Sequence, residues 1–289
     1  MTKKILITGA GGFVGSYLIK ELQKDESNEI YGSVYKSTSD ITNLLPKDHI
    51  LTGDLTQKEV AESHVKAAMP DVIYHLAALS VVHNSTSNAL VTLQGNTAIS
   101  YNLFEAIREY APSARTIAVC SANVYGSVDP KNIPISETVC FRPLNPYAVS
   151  KITQEMIAQQ AHLSYGLDVV VVRPFNHSGP GQTEDFVLPK LAKKVVAIEQ
   201  ESSLPTLELG GGSAVRDWTD VRDMVRAYVM AAEMGVAGEI YNIGSGVGTS
   251  IRAVADIFQS LAKRPFNIVE KPELTRPSDV PSLVADATK

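Results

Sequence analysis

The chain is poor in sulfur and aromatic side chains: among 289 residues there are two cysteines, one tryptophan and 7% aromatic residues. Cys120 and Cys140 cannot build a disulfide framework and have no metal-ligand spacing, which excludes a stapled secreted scaffold and points to a reducing, cytoplasmic setting. Cys120 reads as a small core residue rather than a nucleophile. The six histidines are scattered without ligand spacing, so no metal site is expected. Positive charge is not in excess either. A net charge of -5 denies the chain the global basic field that nucleic acid binding draws on, and leaves only local Arg and Lys clusters for small anions. No apolar run approaches the roughly 20 residues of a transmembrane helix, so no membrane partner is expected. The opening "MTKKILITGAGG" passes from a short basic patch straight into a strand and glycines, without the apolar region of a signal peptide. Internal repeats, low-complexity tracts and charge runs are all missing.

What is present is a chain with 44% hydrophobic residues, long enough for one large or two closely joined domains. Apolar runs of strand length recur: "KILITG", "EIYGSVY", "HILTGDL", "DVIYHLA", "RTIAVCS", "DVVVVRPF" and "EIYNIG". Stretches of helical periodicity lie between most of them, among them "NTAISYNLFEAIREYA" and "YAVSKITQEMIAQQAHLSYG". Strands apolar on both faces, alternating with helices, predict a doubly wound α/β fold with a parallel sheet. Beyond Arg173 the rhythm changes in "RPFNHSGPGQTEDF". The expected division is therefore a main domain carrying the sheet over 1–174 plus about 218–243, and a smaller lobe over about 175–217 plus 244–289. The closing "RPSDVPSLVADATK" reads as the start of another element, which leaves an abrupt natural end or a truncation as the alternatives.

In "ILITGAGGFVGSYLI", Gly9, Gly12 and Gly15 fall between a strand and the mouth of a helix, with Phe13 and Val14 beside them. One such glycine permits the turn, one lets a pyrophosphate approach the backbone, and one lets helix and strand pack closely. The bland alternative is a flexible turn. After the second strand, a carboxylate would meet the 2′-hydroxyl of NAD and a basic group the 2′-phosphate of NADP. Tyr35 and Lys36 stand there, which favours NADP unless Lys36 is only a solvated surface lysine. In "GDL", Asp54 with Leu55 either meets the adenine or belongs to a helix start.

"NPYAVSK" places Tyr147 and Lys151 four apart on a helix, hence on one face. A phenol is a poor acid–base catalyst at neutral pH, and a neighbouring ammonium brings its pKa toward the working range. Ser121, in "CSANVYG", could then polarise the carbonyl that Tyr147 protonates. Read blandly, Tyr147 and Lys151 form an exposed pair and Ser121 ends a strand.

Together these elements resemble the extended short-chain dehydrogenase/reductases, the NAD-dependent epimerase/dehydratase family. "HLAA" at 75–78, Asn96, "RPFN" at 173–176, "RDWTDVRD" at 216–223 and "YNIGSG" at 241–246 carry the resemblance through nearly the whole chain. It implies that Ser121, Tyr147 and Lys151 are catalytic, and that His75, Leu76, Ala77, Ala78, Asn96 and Pro174 border NADPH or NADH. It also implies a nucleotide-sugar substrate, and a homodimer formed through the helices near Asn96 and Tyr147.

Family members that dehydrate nucleotide sugars carry an acid after the Ser or Thr, where this chain has Ala122 and Asn123. An amide cannot exchange that proton. Hydride transfer with one Tyr acid remains, as in a reductase or in a 4-epimerase that retains NAD. The loop "FNHSGPGQ" and the segment "RPSDVPSLVAD" resemble those of GDP-4-dehydro-6-deoxy-mannose reductases. That likeness implies a GDP-sugar ketone reduced at C4 to GDP-D-rhamnose. Asn123, Asn176 and Lys190 would line the substrate, with Arg216 and Arg276 on its diphosphate. Arg216 could instead form a structural pair with Asp217. Ser80 and His83 could border the hexose, and His177 reads as loop packing. A dinucleotide-responsive scaffold without catalysis is the alternative from another class, disfavoured by the intact Ser121, Tyr147 and Lys151.

Overall fold

A central sheet of seven strands orders the molecule, and each strand is built from the apolar runs of the sequence. The computed structural model describes residues 2–35, 40–80, 88–201, 204–275 and 280–289. Lys36, His83 and Arg276, predicted above as site residues, lie outside the described residues. The strands are β1 (Lys3–Thr8), β2 (Asn28–Val34), β3 (Ile50–Thr52), β4 (Val72–His75), β5 (Arg115–Val119), β6 (Val169–Pro174) and β10 (Ile240–Ile243). They pair in the order β10-β6-β5-β4-β1-β2-β3, all parallel. This is a Rossmann-type doubly wound sheet. Parallel strands need cover on both faces, and every residue of "VVVVRP" in β6 is buried accordingly.

Two apolar cores flank the sheet. On one face Leu18, Ile19 and Leu22 of α1 (Phe13–Leu22) join Met224, Val225 and Tyr228 of α6 (Val221–Met234) against Ile5, Ile7, Val119 and Val172. On the other, α2 (Lys58–Ala68), α3 (Ala89–Tyr110) and α4 (Pro146–Tyr165) bury Val65, Leu103, Phe104, Ile107 and Ala158 against Leu6, Ile73 and Val171. Cys120 is buried in this second core.

After β6 the chain leaves the sheet. Strands β7 (Asn176–Ser178), β9 (Val215–Asp220), β11 (Gly248–Ser250) and β13 (Ser282–Leu283) form a second sheet centred on β9. A separate small core packs Leu191 and Val195 of α5 (Val187–Glu199), Leu207 and Leu209 of β8 (Thr206–Leu209), Ala255 of α7 (Ile251–Leu261) and Phe266, just before β12 (Asn267–Glu270). The final segment does not open a free-standing element. β13 runs parallel to β9, and Ala285 then bridges Ile135, so this segment ties the second sheet to the loop after Ser121.

Candidate active site

The mouth of α1 is shaped by close backbone contact. Gly9 has φ +73°, and a Cβ there would lie 2.9 Å from the amide nitrogen of Ala77. A side chain at Gly15 would meet the carbonyl oxygen of Gly9 at 2.5 Å. At Gly12, the N-cap of α1, a Cβ would approach only the Gly9 oxygen, at 3.1 Å, and otherwise enter open space. The first turn of α1 holds no acidic residue, so no carboxylate there opposes an anion at the helix N-terminus. The glycines at 9 and 15 thus serve the fold, whereas the space at Gly12 fits a ligand phosphate.

The contact with Gly9 brings Leu76 and Ala77, just after β4, beside this mouth, with Ala78 next in the chain. Phe13 and Tyr17 pack edge to face at 5.5 Å, and the Tyr17 hydroxyl donates to the Pro180 carbonyl at 2.8 Å, joining α1 to the loop after β7. Tyr35 is exposed directly after β2. Asp54 accepts from the Thr56 amide at 2.9 Å in a turn leading to α2, and the Leu55 side chain is buried in the second core. His75 corrects the sequence reading. It is wholly buried, with Nδ1 against the Thr8 hydroxyl at 2.9 Å and Nε2 against Ser100 at 3.0 Å, and burial pushes its pKa down to about 3. It is a neutral core residue that fastens β1, β4 and α3 together.

Asn96 sits at a junction. Its Oδ1 accepts from the Leu79 amide at 2.7 Å and its Nδ2 donates to Ser150 at 2.9 Å, while Ser150 donates to the Tyr147 carbonyl at 2.8 Å. The loop after β4, leading to exposed Ser80, is thereby tied to the helix that carries Tyr147.

That helix, α4, has a defined start. Asn145 accepts from the Ala148 amide at 2.8 Å as its cap, and Pro146 supplies a fixed φ at the first position. Tyr147 therefore lies in the first turn and Lys151 one turn later, both buried rather than exposed. Lys151 Nζ donates to the Val119 carbonyl at 2.9 Å and to Gln154 Oε1 at 2.8 Å, and stands 5.9 Å from the Tyr147 ring centre. An ammonium has three donors, so one remains for a ligand hydroxyl. Burial pushes the Tyr147 phenol up to about 12, and the Ser121 hydroxyl beside it acts the other way. Burial also pushes Lys151 down to about 8.

Ser121 follows β5, two residues beyond Val119, and caps a short 3₁₀ turn, Ala122–Tyr125. Its oxygen accepts from the Asn123 backbone amide at 3.2 Å and from Asn123 Nδ2 at 3.1 Å. With two donors on its lone pairs, the Ser121 hydroxyl has its hydrogen available to the Tyr147 oxygen beside it or to a carbonyl acceptor in its place. The strand-end reading and the polarising reading describe the same geometry.

On the substrate side, Asn176 follows β6 and Phe175, and pairs in register with Trp218. Arg216 lies two positions earlier on β9 and donates to the Val215 carbonyl at 2.8 Å. Asp217 is fully buried and receives Ser245 N at 2.8 Å, the Ser245 hydroxyl at 2.5 Å, Gly246 N at 2.9 Å and Ala285 N at 3.2 Å. This is a structural clamp on the "YNIGSG" turn and the final segment. Lys190 is exposed on the first turn of α5. His177 is held against the Phe175 carbonyl at 3.0 Å, and burial lowers its pKa.

Sequence reasoning missed Gln154, which holds Lys151, and a buried ion pair between Glu155 and Arg173. The one visible signal was Glu155 at four residues from Lys151.

Residues 6–289 match the family model described as GDP-mannose 4,6 dehydratase. The chain is 32% identical to the GDP-6-deoxy-D-mannose reductase of Pseudomonas aeruginosa, covering 96% of this chain and 86% of that protein. It is 29% identical to the GDP-6-deoxy-D-talose 4-dehydrogenase of Aggregatibacter actinomycetemcomitans, over 99% and 89% of the two chains. The solved structure of RMD from Pseudomonas aeruginosa complexed with NADPH superposes with a TM-score of 0.85 at 29% identity, over 99% of this chain and 90% of that one. UDP-glucose 4-epimerases and dTDP-glucose 4,6-dehydratases also match. The chain belongs to the GDP-mannose 4,6 dehydratase family and thus to the extended short-chain dehydrogenase/reductases, enzymes acting on nucleotide sugars.

Proposed function

We propose that the chain is an NADPH-dependent reductase that converts the C4 ketone of GDP-4-dehydro-6-deoxy-D-mannose to the alcohol of GDP-D-rhamnose. The observation that carries this reading is the amide of Asn123 bonded to Ser121, in the place where a dehydrating enzyme of the family keeps an acid. A site with Ser121, Tyr147 and Lys151 but no such acid is equipped for hydride transfer and one proton. The reductase relative and the NADPH-bound structural neighbour support the same choice.

When bound, the nicotinamide supplies the hydride, and NADH is the alternative donor. Ser121 donates to the ketone oxygen and polarises it. Tyr147, protonated at neutral pH, donates its phenolic proton to that oxygen as charge develops on it. Lys151 holds a positive charge beneath the phenolate left behind, and its spare donor can meet a ribose hydroxyl. The mouth of α1 receives the cofactor pyrophosphate, and Lys36 its 2′-phosphate. Asn176, Lys190, Arg216 and Arg276 receive the nucleotide diphosphate and sugar. A homodimer is part of this reading, because α3 and α4 expose Leu90, Val91, Tyr101, Val149, Met156 and Leu163. Its setting is the cytoplasm.

The second reading is a 4-epimerase that retains NAD, supported by the UDP-glucose 4-epimerases among the structural neighbours. Purified protein incubated with the ketosugar and NADPH separates the two. The reductase oxidises one NADPH per sugar consumed, and an absence of NADPH oxidation overturns the proposal.

A further inference from the structure

Lys151 and Glu155 stand four apart on α4, the spacing at which a helix ordinarily joins an ammonium to a carboxylate. Both are buried, with 3% and 0% of their surface exposed. The expected pair is nonetheless not what the fold builds. Lys151 is bound by two neutral acceptors, the Val119 carbonyl and Gln154 Oε1. Glu155 is gripped by the fork of Arg173 on β6, with Nε on Oε2 at 2.9 Å and Nη2 on Oε1 at 2.5 Å, and it also receives Gln159 Nε2 at 3.0 Å. Arg173 is fixed from behind. Its Nη1 donates to the Tyr125 hydroxyl at 2.8 Å and to the Glu137 carbonyl at 3.0 Å. The Tyr125 hydroxyl in turn donates to Asn242 Oδ1 at 2.7 Å.

We propose that Arg173 is a positioning residue for the reaction: by sequestering Glu155 it keeps the charge of Lys151 undivided for Tyr147 and the cofactor. This deepens the reductase reading and rests on it for its catalytic consequence. The physical reason is that a carboxylate in contact with Lys151 would cancel much of the field that stabilises the Tyr147 phenolate in a medium of low dielectric. A replacement of Arg173 would free Glu155 to turn toward Lys151, one helical turn away.

The neighbouring titratable groups do not complicate that field. His75 of β4 is pushed down to about 3, and Cys120 after β5, Tyr125 of the 3₁₀ turn and Tyr228 of α6 are pushed up by burial. All four are uncharged at neutral pH. Among the described residues the charges joined in this network are Lys151, Glu155 and Arg173, with Glu137 beyond Tyr125, where it accepts from the Asn242 amide at 2.7 Å.

The test follows the titration of Lys151 directly, by carbon-13 NMR of apoprotein labelled at lysine Cε, the resonance being assigned with Lys151→Met. In Arg173→Gln the Lys151 pKa rises by about 1 unit or more, the usual effect of an opposite charge at contact. In Arg173→Gln/Glu155→Gln it returns to the wild-type value, and Arg173→Lys keeps it there. Turnover moves in parallel: kcat falls in Arg173→Gln with the NADPH KM unchanged, and recovers in the double variant. If Arg173→Gln does not fold, Glu155→Gln reads the opposite sign, because the unneutralised guanidinium lowers the Lys151 pKa. A Lys151 titration unchanged in every folded variant overturns the proposal, as does a double variant whose kcat is no better than that of Arg173→Gln. The titration needs no substrate, so its result is separate from whether the wild-type protein reduces the GDP-ketosugar.

Discussion

Asn123 donates to Ser121 twice, through its backbone amide at 3.2 Å and its side-chain amide at 3.1 Å. In the proposed reductase the side chain at this place therefore has a task of its own, which is to orient the hydroxyl proposed to polarise the carbonyl. Asn123→Ala should lower kcat by roughly fivefold, the worth of one hydrogen bond of about 1 kcal/mol. Steady-state kinetics check this, with the NADPH KM expected to stay near wild type.

Tyr147→Phe removes the proton donor while keeping the ring in its buried site. The loss expected for a general acid is roughly 10²–10⁴-fold in kcat. Binding of NADPH, followed by the quenching of protein fluorescence, should persist. Wild-type turnover by Tyr147→Phe would remove the catalytic assignment.

The pH profile should follow the ammonium before the phenol. Lys151 is pushed down to about 8 and Tyr147 up to about 12, both by burial. Lys151 is charged, and supports proton donation, below its pKa. The kcat/KM for ketone reduction, which reports the free enzyme, should then be level at neutral pH and fall as the pH rises through about 8. The profile should be flat across this region in Lys151→Met, at a much lower level.

Much of this was readable in advance, for physical reasons. The sheet was legible because strands covered on both faces must be apolar throughout, as β6 is. Tyr147 and Lys151 were legible as one face of a helix, since four residues make about one turn. Partnerships between distant residues were not legible. Nothing in the spacing tells that Glu155 will turn from Lys151 to Arg173, eighteen residues on, or that Asp217 will receive Ser245, Gly246 and Ala285. His75 misled because the end of an apolar strand next to a cofactor loop can face either way, and it faces Thr8 and Ser100 inside the core.

Asp217 yields a prediction about stability. Its carboxylate is buried and receives four donors from two separate segments. Asp217→Ala would leave those donors without an acceptor, at a cost of about 2–4 kcal/mol. Urea denaturation checks the size of the loss, and hydrogen exchange should show faster opening at Gly246 and Ala285 than in β1.

Gly15→Ala should be costly without touching the reaction chemistry. The new methyl would lie 2.5 Å from the Gly9 carbonyl oxygen and 2.6 Å from that of Ala10, so α1 must shift away from β1. A loss of roughly 1–3 kcal/mol is expected, with weakened NADPH binding because the helix mouth moves with it. Thermal unfolding with and without NADPH separates the two effects.

The most direct test of the central claim is the fate of the transferred hydrogen. The protein is incubated with GDP-4-dehydro-6-deoxy-D-mannose and NADPH deuterated at nicotinamide C4, using each of the two stereoisomers in turn, and the sugar is examined by NMR. The account predicts deuterium at C4 of GDP-D-rhamnose from one stereoisomer, with one NADPH consumed per sugar. Unlabelled product, or interconversion of C4 epimers by protein that retains its dinucleotide, would contradict it.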